Sequence, residues 1–293
     1  MNVKWLIEDF DADNKIWETV AEVRRLGLPC EIADYYNFYL NGNVVEDGKK
    51  VLSKFQDDDC VIFQGSIQLA LWIKRNKPWV PGMWFEPEKF KCTYFYSYLG
   101  EFLFNQDYIF STIGEYKRRR DMFYHLVGKD DCLFMRPDNG TKSFTGQIFK
   151  KETHNTDWAF FDTYTKAEDI VVIAPPKRIH AEYRFVIGGD EIVGASMYRY
   201  EDKARLMPGA PKRAHNVVKE IVKVINKDMK IGAMYVVDIA EDYDDKYSLM
   251  EINCFNCAGL YETDRKAVVA AANQLAWNEY QEYMKVEEEF SQS

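Results

Sequence analysis

The sequence predicts a two-domain protein of mixed α/β (α+β) class. Over residues 1–110, apolar strand-like runs alternate with amphipathic helical segments, the order that is typical of a small parallel α/β domain. From Cys132 onward, short apolar runs follow one another across polar turns, which predicts antiparallel sheets in residues 111–293. With 293 residues, of which 47% are hydrophobic, the chain is long enough to bury the cores of both domains.

The elements of the first domain follow from local signals. The predicted strands cover residues 3–8, 30–33 and 59–64, and the predicted helices cover residues 16–26 after an Asp13 or Asn14 cap, 46–55 and 67–75. Sites in parallel sheets lie at the carboxyl ends of strands, which here points to Gly65 and Ser66. Trp79, Trp84 and Phe85 could line a cleft, but packing in the core is the favoured interpretation.

Composition argues against several classes of protein. The 38 Lys and Arg residues against 47 Asp and Glu give a net charge of -9, which argues against general binding of nucleic acid or membrane surfaces. No apolar run of membrane-spanning length and no signal peptide is visible, so we expect a cytoplasmic protein. Cys254 and Cys257 have metal-ligand spacing but no second pair, which favours structural thiols.

The second domain begins with a hairpin around a polar loop. A predicted strand ends at Arg136, and residues 138–146 form a loop before the strand at residues 147–149. Such a loop can present backbone N–H groups to phosphate, with Arg136 and Lys142 supplying charge, although it lacks the Walker spacing. An ordinary hairpin loop is the alternative.

Further elements lead to the end of the domain. The prediction comprises a helix over residues 113–127, an apolar strand at 169–174 stopped by Pro-Pro, a hairpin over 181–198, a mobile charged loop over 198–211 and a helix over 216–226. A strand stopped by two prolines leaves backbone groups unpaired at its end. Glu182 and Arg184 share one face of their strand, as either a surface ion pair or part of a site.

Residues 235–259 predict a metal-holding hairpin. Glu251 and Asn253 project from the same face of a strand, roughly 6 to 7 Å apart. Asp238 lies in an otherwise apolar strand, where a buried carboxylate needs a cation or a donor to compensate it. Symmetric pairing would place Asp238 near Glu251, and such oxygen ligands suit a hard cation such as Mg²⁺. The alternative is a hairpin whose Glu and Asn face water.

The order of these motifs over about residues 130–270 resembles the ATP-grasp superfamily, in particular the arginine-to-lysine clade of bacterial and phage ATP-grasp proteins. The first domain resembles the pre-ATP-grasp domain that precedes it. The resemblance implies ATP as the cofactor with Mg²⁺, or Mn²⁺ as the alternative, held by Asp238, Glu251 and Asn253. For the phosphates, it further implies that Arg136 replaces the usual phosphate-binding Lys, that Lys142 and the loop through Gly146 cover the phosphates, and that Lys203 reaches the γ-phosphate. For the nucleoside, it implies that Val172, Ile173 and Ala174 contact adenine and that Glu182 binds ribose. Arg184 is implied to contact phosphate or acceptor substrate.

The resemblance implies an ATP-dependent carboxylate-amine ligase that acts through an acyl phosphate on a peptide or small metabolite, with Arg136, Arg184 and Lys203 as catalytic residues. The alternatives are a phosphotransferase on a small molecule and a non-catalytic ATP-binding module, and the three candidate metal ligands disfavour the latter. We expect Asp238→Asn and Glu251→Gln to leave the fold intact or stabilised, because each relieves crowding of negative charge.

Overall fold

The computed structural model describes residues 2–9, 15–40, 43–138, 144–153, 158 and 165–291. Three sequence-based expectations fall outside these residues. They are the helix caps Asp13 and Asn14 and the phosphate-covering Lys142, together with most of the polar loop around it.

The first domain contains the predicted parallel sheet. Its strand order is β2-β1-β5-β6, and every neighbouring pair is parallel. The strands are β1 (Val3–Asp9), β2 (Cys30–Asp34), β5 (Cys60–Gln64) and β6 (Val80–Gly82), with a separate two-stranded ribbon of β3 (Tyr39–Leu40) and β4 (Asn43–Val44). The helices are α1 (Ile16–Arg25), α2 (Tyr35–Phe38), α3 (Glu46–Leu52), α4 (Ile67–Asn76) and α5 (Cys92–Leu99). The predicted alternation of strands and helices is therefore confirmed.

In the described part of the remaining chain, two antiparallel sheets are accompanied by helices. One has the order β7-β10-β8-β9 and the other has the order β13-β12-β11-β14-β15. The strands of the first are β7 (Ile109–Thr112), β8 (Cys132–Pro137), β9 (Gln147–Lys150) and β10 (Ile170–Ala174); those of the second are β11 (Ala181–Gly188), β12 (Glu191–Tyr200), β13 (Lys203–Pro208), β14 (Met234–Glu241) and β15 (Tyr247–Cys254). The predicted change from parallel to antiparallel pairing is confirmed, and the boundary near residue 110 remains a prediction.

Two of the predicted helices differ in extent from the structure. Residues 113–127 form two helices, α6 (Ile113–Arg118) and α7 (Arg120–Val127), because Arg119 leaves helical geometry at φ -124° and ψ 31°. The helix expected to start at residue 216 is α8 (Lys212–Val224). It continues into a π-helical turn at Ile225–Met229.

The charged segment 198–211 forms a hairpin, and the prediction of a loop there is wrong. β12 continues to Tyr200, and Tyr200 pairs with Lys203 at the start of β13. The two turn residues between them, Glu201 and Asp202, have φ values of 44° and 60°. Positive φ at both positions gives the turn that matches the twist of paired strands. The dipeptide Glu-Asp is not a usual sequence for this turn, so the pattern gave no signal of it.

The C-terminal helix α9 (Arg265–Ser291), which the sequence reasoning did not anticipate, packs against α1, β5 and β6 of the first domain. It supplies hydrogen-bond acceptors to two buried indoles. Trp5 donates to Asn273 at 2.8 Å, and Trp84 donates to Glu279 at 2.7 Å. Trp79, Trp84 and Phe85 are at most 5% exposed, which confirms the expectation that they pack in the core.

None of the helices in the described part of the chain combines the length and apolar character that crossing a membrane requires.

Candidate functional site

The β14–β15 hairpin brings the three candidate metal ligands together. Asp238 and Glu251 are direct partners across the two strands, as the sequence predicted, and the register shifts immediately after them. The side-chain nitrogen of Asn253 donates to Glu251 at 2.7 Å and lies 3.3 Å from an oxygen of Asp238. Two carboxylates and one amide therefore converge at one point of the sheet.

The chemistry of this set fits a hard divalent cation. Its donors are carboxylate and amide oxygens, the ligands that Mg²⁺ prefers. Among the described residues no group of three His, Cys, Asp or Glu side chains could hold a metal, so Asn253 is needed to complete the set. The amide nitrogen and oxygen of Asn253 are interchangeable by a rotation, which would turn its oxygen toward a bound cation.

Arg184 compensates the buried charge of Asp238. The two residues face each other on β11 and β14, and the guanidinium donates to both carboxylate oxygens, at 2.8 and 2.7 Å. Asp238 is fully buried and Arg184 is 7% exposed. Of the two interpretations of Arg184 and Glu182, a surface ion pair is excluded, because both side chains are buried at the cluster.

Two tyrosines hold the Arg184 guanidinium in place. The rings of Tyr198 and Tyr261 are nearly parallel, with centroids 4.9 Å apart, and the guanidinium carbon lies 5.7 and 4.9 Å from their centroids. Tyr261 has a φ of 47°, a region that bulky residues rarely occupy. Burial, followed by the negative charges of Asp238 and Glu182, raises the pKa of Tyr198 well above its ordinary value. The sequence predicted no role for either ring: Tyr198 lies at the boundary between a predicted hairpin and a predicted loop, and Tyr261 lies outside every recognised motif.

Glu182 lies next to this group, on the same strand as Arg184. It is 4% exposed, and Arg199 approaches its carboxylate at 3.5 Å. Burial raises the pKa of Glu182, while a hydrogen bond with Tyr198 lowers it in part. The expected ribose-binding residue is thus a buried carboxyl group at the edge of the cluster.

Arg136 joins the two antiparallel sheets at the cluster. From β8 it donates to the Glu251 carboxylate at 2.7 Å and to the Met250 carbonyl at 3.0 Å. Gly146 lies against it, since a Cβ at Gly146 would be 3.2 Å from the Cβ of Arg136. The end of β8 is anchored nearby, because Asp138 accepts hydrogen bonds from the Thr93 amide and hydroxyl at 2.6 and 2.9 Å.

The expected adenine contacts require a correction. β10 lies inside its sheet, and Val172 and Ile173 pair with β7 on one side and β8 on the other. The backbone groups of Val172 and Ile173 are therefore taken up by pairing within the sheet, so these two residues do not supply the expected backbone contacts to adenine. Ala174 has a partner on the β8 side alone, so the open backbone begins at the end of the strand.

Lys203 is not part of the hydrogen-bonded cluster around Asp238 and Glu251 that is described above. It is exposed at the first position of the edge strand β13, opposite Tyr200. Its proposed reach to a phosphate stays a prediction.

Asn256, which sequence reasoning also missed, ties the end of the hairpin to the first sheet. Its side chain donates to the Phe63 carbonyl at 2.5 Å and accepts from the Trp84 amide at 2.8 Å. Its backbone carbonyl accepts from Gly65 at 2.8 Å. The predicted strand end at Gly65 and Ser66 is thereby brought to the segment that follows the candidate metal ligands.

Comparisons with known proteins identify a family and a shared fold. The family model described as an ATP-grasp domain, family 2 of the arginine-to-lysine clade, matches residues 106–271. The structure is similar to that of the D-cycloserine synthetase DcsG, with a TM-score of 0.58 and 12% identity over 92% of this chain and 99% of that chain. It is similar to the D-alanine–D-alanine ligase from Bacillus anthracis, with a TM-score of 0.57 and 14% identity over 98% and 99% of the two chains.

A third similar structure is the ATP-grasp ligase PsnB complexed with minimal precursor, with a TM-score of 0.55 and 12% identity over 92% of this chain and 98% of that chain. At these identities the structures establish a shared fold. The curated protein sequences gave no significant match.

Proposed function

Since this chain belongs to the ATP-grasp family, in its arginine-to-lysine clade, we propose that it is an ATP-dependent ligase that joins a carboxylate to an amine through an acyl phosphate. The observation that carries the proposal is the convergence of Asp238, Glu251 and Asn253 with two arginines, the half-buried Arg136 and the buried Arg184. Such a set of hard oxygen ligands and guanidinium groups is suited to a metal-bound triphosphate.

In this proposal Asp238, Glu251 and Asn253 hold Mg²⁺, with Mn²⁺ as the alternative. The bound cation would offset negative charge on the nucleotide phosphates. Asp238 and Glu251 are held in position by their bonds to Arg184 and Arg136, so the ligands are organised before the nucleotide arrives. An ionised carboxylate has lone pairs beyond those that these bonds use.

Arg136 and Arg184 act on the transferring phosphoryl group. Each guanidinium has N–H groups beyond those in the bonds described above, and positive charge placed where phosphate charge develops is often the largest catalytic contribution. In the reaction, a carboxylate oxygen of one substrate attacks the γ-phosphorus and ADP leaves. The amine of the second substrate then attacks the acyl carbon, phosphate leaves, and the amine loses a proton. No side-chain nucleophile takes part.

The nucleotide would be bound by both antiparallel sheets. Glu182 would accept hydrogen bonds from the ribose hydroxyls, and the backbone from Ala174 onward would contact adenine, where β10 has one open side. Lys142, the loop through Gly146, and Lys203 complete the proposed phosphate contacts. The substrates are small molecules or peptides; in support, one similar structure is a ligase complexed with a minimal precursor.

Product analysis tests the proposal. Incubation with ATP, Mg²⁺ and a panel of carboxylates and amines should give ADP and free phosphate, with phosphate release dependent on both substrates. Formation of AMP and pyrophosphate would rule out the acyl phosphate route. A stable phosphorylated product formed without the amine would instead identify a phosphotransferase.

A further inference from the structure

A pocket of about 190 Å³ opens beside the cluster, between the first domain and the end of β15. Arg184 and Asn253 are among its lining residues and are called the polar wall below. Ile67 from the first turn of α4, Phe85 and Phe90 also line it and are called the apolar wall. The pocket therefore combines a polar wall at the candidate metal ligands with an apolar wall supplied by the first domain.

The polar wall favours an anion. Arg184 uses three N–H bonds for Asp238 and the Gly259 carbonyl, which leaves further guanidinium N–H groups for a ligand. Among the described residues that line the pocket, Arg184 carries the one formal charge, and no Asp or Glu lines it. A carboxylate thus finds donors on the Arg184 guanidinium, whereas an ammonium group finds no carboxylate partner among these lining residues.

The apolar wall is rigid and selective for volume. Phe85 and Phe90 are each 3% exposed, and their rings are 5.7 Å apart at 49°. The Phe85 carbonyl accepts a hydrogen bond from Lys74 at 2.8 Å, which fixes the backbone behind its ring. A charged or amide side chain placed against these rings would lose its water without gaining a partner, so an apolar group is preferred.

On the basis of the function proposed above, we propose that this pocket binds the carboxylate substrate and selects a small acid with a compact apolar side chain. The carboxylate would lie at Arg184, and the side chain would lie against Ile67, Phe85 and Phe90. At about 30 Å³ for each water-sized group, a pocket of about 190 Å³ accommodates roughly six non-hydrogen atoms. This size fits a short or branched aliphatic acid better than the body of a peptide.

Trapping with hydroxylamine tests the carboxylate independently of the natural amine. After a carboxylate oxygen attacks the γ-phosphorus and ADP leaves, the hydroxylamine nitrogen attacks the acyl carbon. Phosphate then leaves, and a hydroxamate, which ferric ion detects, remains. The probes are aliphatic acids from propionate to 4-methylpentanoate, with and without an α-amino group, compared with aspartate, glutamate, lysine and short peptides.

Ile67 is the residue to change, because it is half-buried at a helix start and outside the catalytic cluster. In Ile67→Ala, the ratio of kcat/KM for a longer acid to kcat/KM for a shorter acid should rise by about 10-fold, the usual effect of a methylene-sized change in an apolar pocket. Ile67→Phe should shift the preference to the shortest acids. Leu71→Ala, one turn later on the same helix, is the matched control and should leave the preference unchanged.

Hydroxamate formation with apolar acids, together with opposite shifts in the two Ile67 variants, supports the inference. A preference for charged acids or peptides, or an unchanged preference in both variants, overturns it. Absence of any hydroxamate from protein that still binds ATP with Mg²⁺ also overturns it and leaves the proposed function standing. Failure of ATP binding itself would instead contradict the proposed function.

Discussion

At the scale of single residues, the site is built from two arginine–carboxylate pairs of unequal burial. The side chains of Arg184 and Asp238 are 8% and 1% exposed, whereas those of Arg136 and Glu251 are 17% and 18% exposed. The sequence located all four residues but not their pairing. Strand alternation predicts which face a side chain occupies, while contacts between β11 and β14, or between two sheets, depend on tertiary packing.

The pairing changes the expected effect of removing each carboxylate. Asp238→Asn should lower the free energy of unfolding by about 3 kcal/mol, because it leaves the Arg184 charge buried without its partner. Glu251→Gln should lower it by about 1 kcal/mol or less, because its ion pair is closer to solvent. For Asp238→Asn this prediction replaces the expectation of an intact or stabilised fold, whereas for Glu251→Gln the fold is still expected to stay intact. Urea unfolding of wild type and both variants measures these free energies. Equal stabilities of the two variants would refute the predicted difference.

Glu8 should give the protein a pH-dependent loss of stability. Burial raises the pKa of Glu8 from its ordinary value of 4.5, although the Ser66 amide donates to its carboxylate at 2.6 Å. Below pH 4.5 the carboxyl is protonated in both the folded and the unfolded protein. As pH rises through the raised pKa, the folded protein must carry a disfavoured buried charge, so the free energy of unfolding decreases.

Glu8→Gln keeps an acceptor for Ser66 but removes that charge. The variant should therefore melt on the order of 2 °C above wild type at neutral pH and together with it at acidic pH. The surface change Glu46→Gln serves as the control for general charge effects. A variant that melts below wild type at neutral pH would show that the charged form of Glu8 stabilises the fold.

At the scale of elements, the β14–β15 hairpin could be predicted and the β12–β13 hairpin could not. The first is marked by two apolar runs around an acidic turn, and its register follows from symmetric pairing of Asp238 with Glu251. The second has six exposed residues in β13 and an atypical turn at Glu201 and Asp202, so its composition is that of a loop.

The β12–β13 hairpin should close over bound phosphates and bring Lys203 to them. Lys203→Ala should then lower kcat by ~10², the loss expected for one positioned donor to a developing charge, with a smaller change in ATP affinity. Lys227→Ala, another exposed lysine, is the control. Steady-state phosphate release measures kcat, and nucleotide titration measures the affinity for ATP. Equal kcat in the two variants would make Lys203 a surface residue.

At the scale of the whole molecule, the C-terminal helix completes the first domain. Local patterns predicted the parallel sheet and the antiparallel sheets, because each is encoded in consecutive apolar runs. They did not predict that α9 returns to the first sheet, where its Val268, Val269 and Ala272 join one apolar cluster with Trp5 and Val20. A contact between the two ends of the chain has no local signature.

Residues 1–110 alone should therefore fail to unfold cooperatively. Without α9, the indoles of Trp5 and Trp84 lose their acceptors and the apolar face of the sheet is exposed. Joining residues 262–293 to this fragment through a flexible linker should restore a cooperative transition. Thermal unfolding followed by circular dichroism compares the two, and a sharp transition in the short fragment would show that the first domain is autonomous.

We propose that Asp238, Glu251 and Asn253, with Arg136 and Arg184, form a metal-dependent ATP site. Calorimetric titration of ATP into wild type with Mg²⁺ and with EDTA tests it most directly, alongside Glu251→Gln and the control Glu241→Gln. Glu241 is a carboxylate on the same hairpin, and it accepts hydrogen bonds from the hydroxyls of Tyr183 and Tyr247 at 2.6 and 2.9 Å. We expect Mg²⁺-dependent binding in wild type and Glu241→Gln, and at least about 10-fold weaker binding in Glu251→Gln. ATP binding that is independent of Mg²⁺ and equal in all three proteins would contradict it.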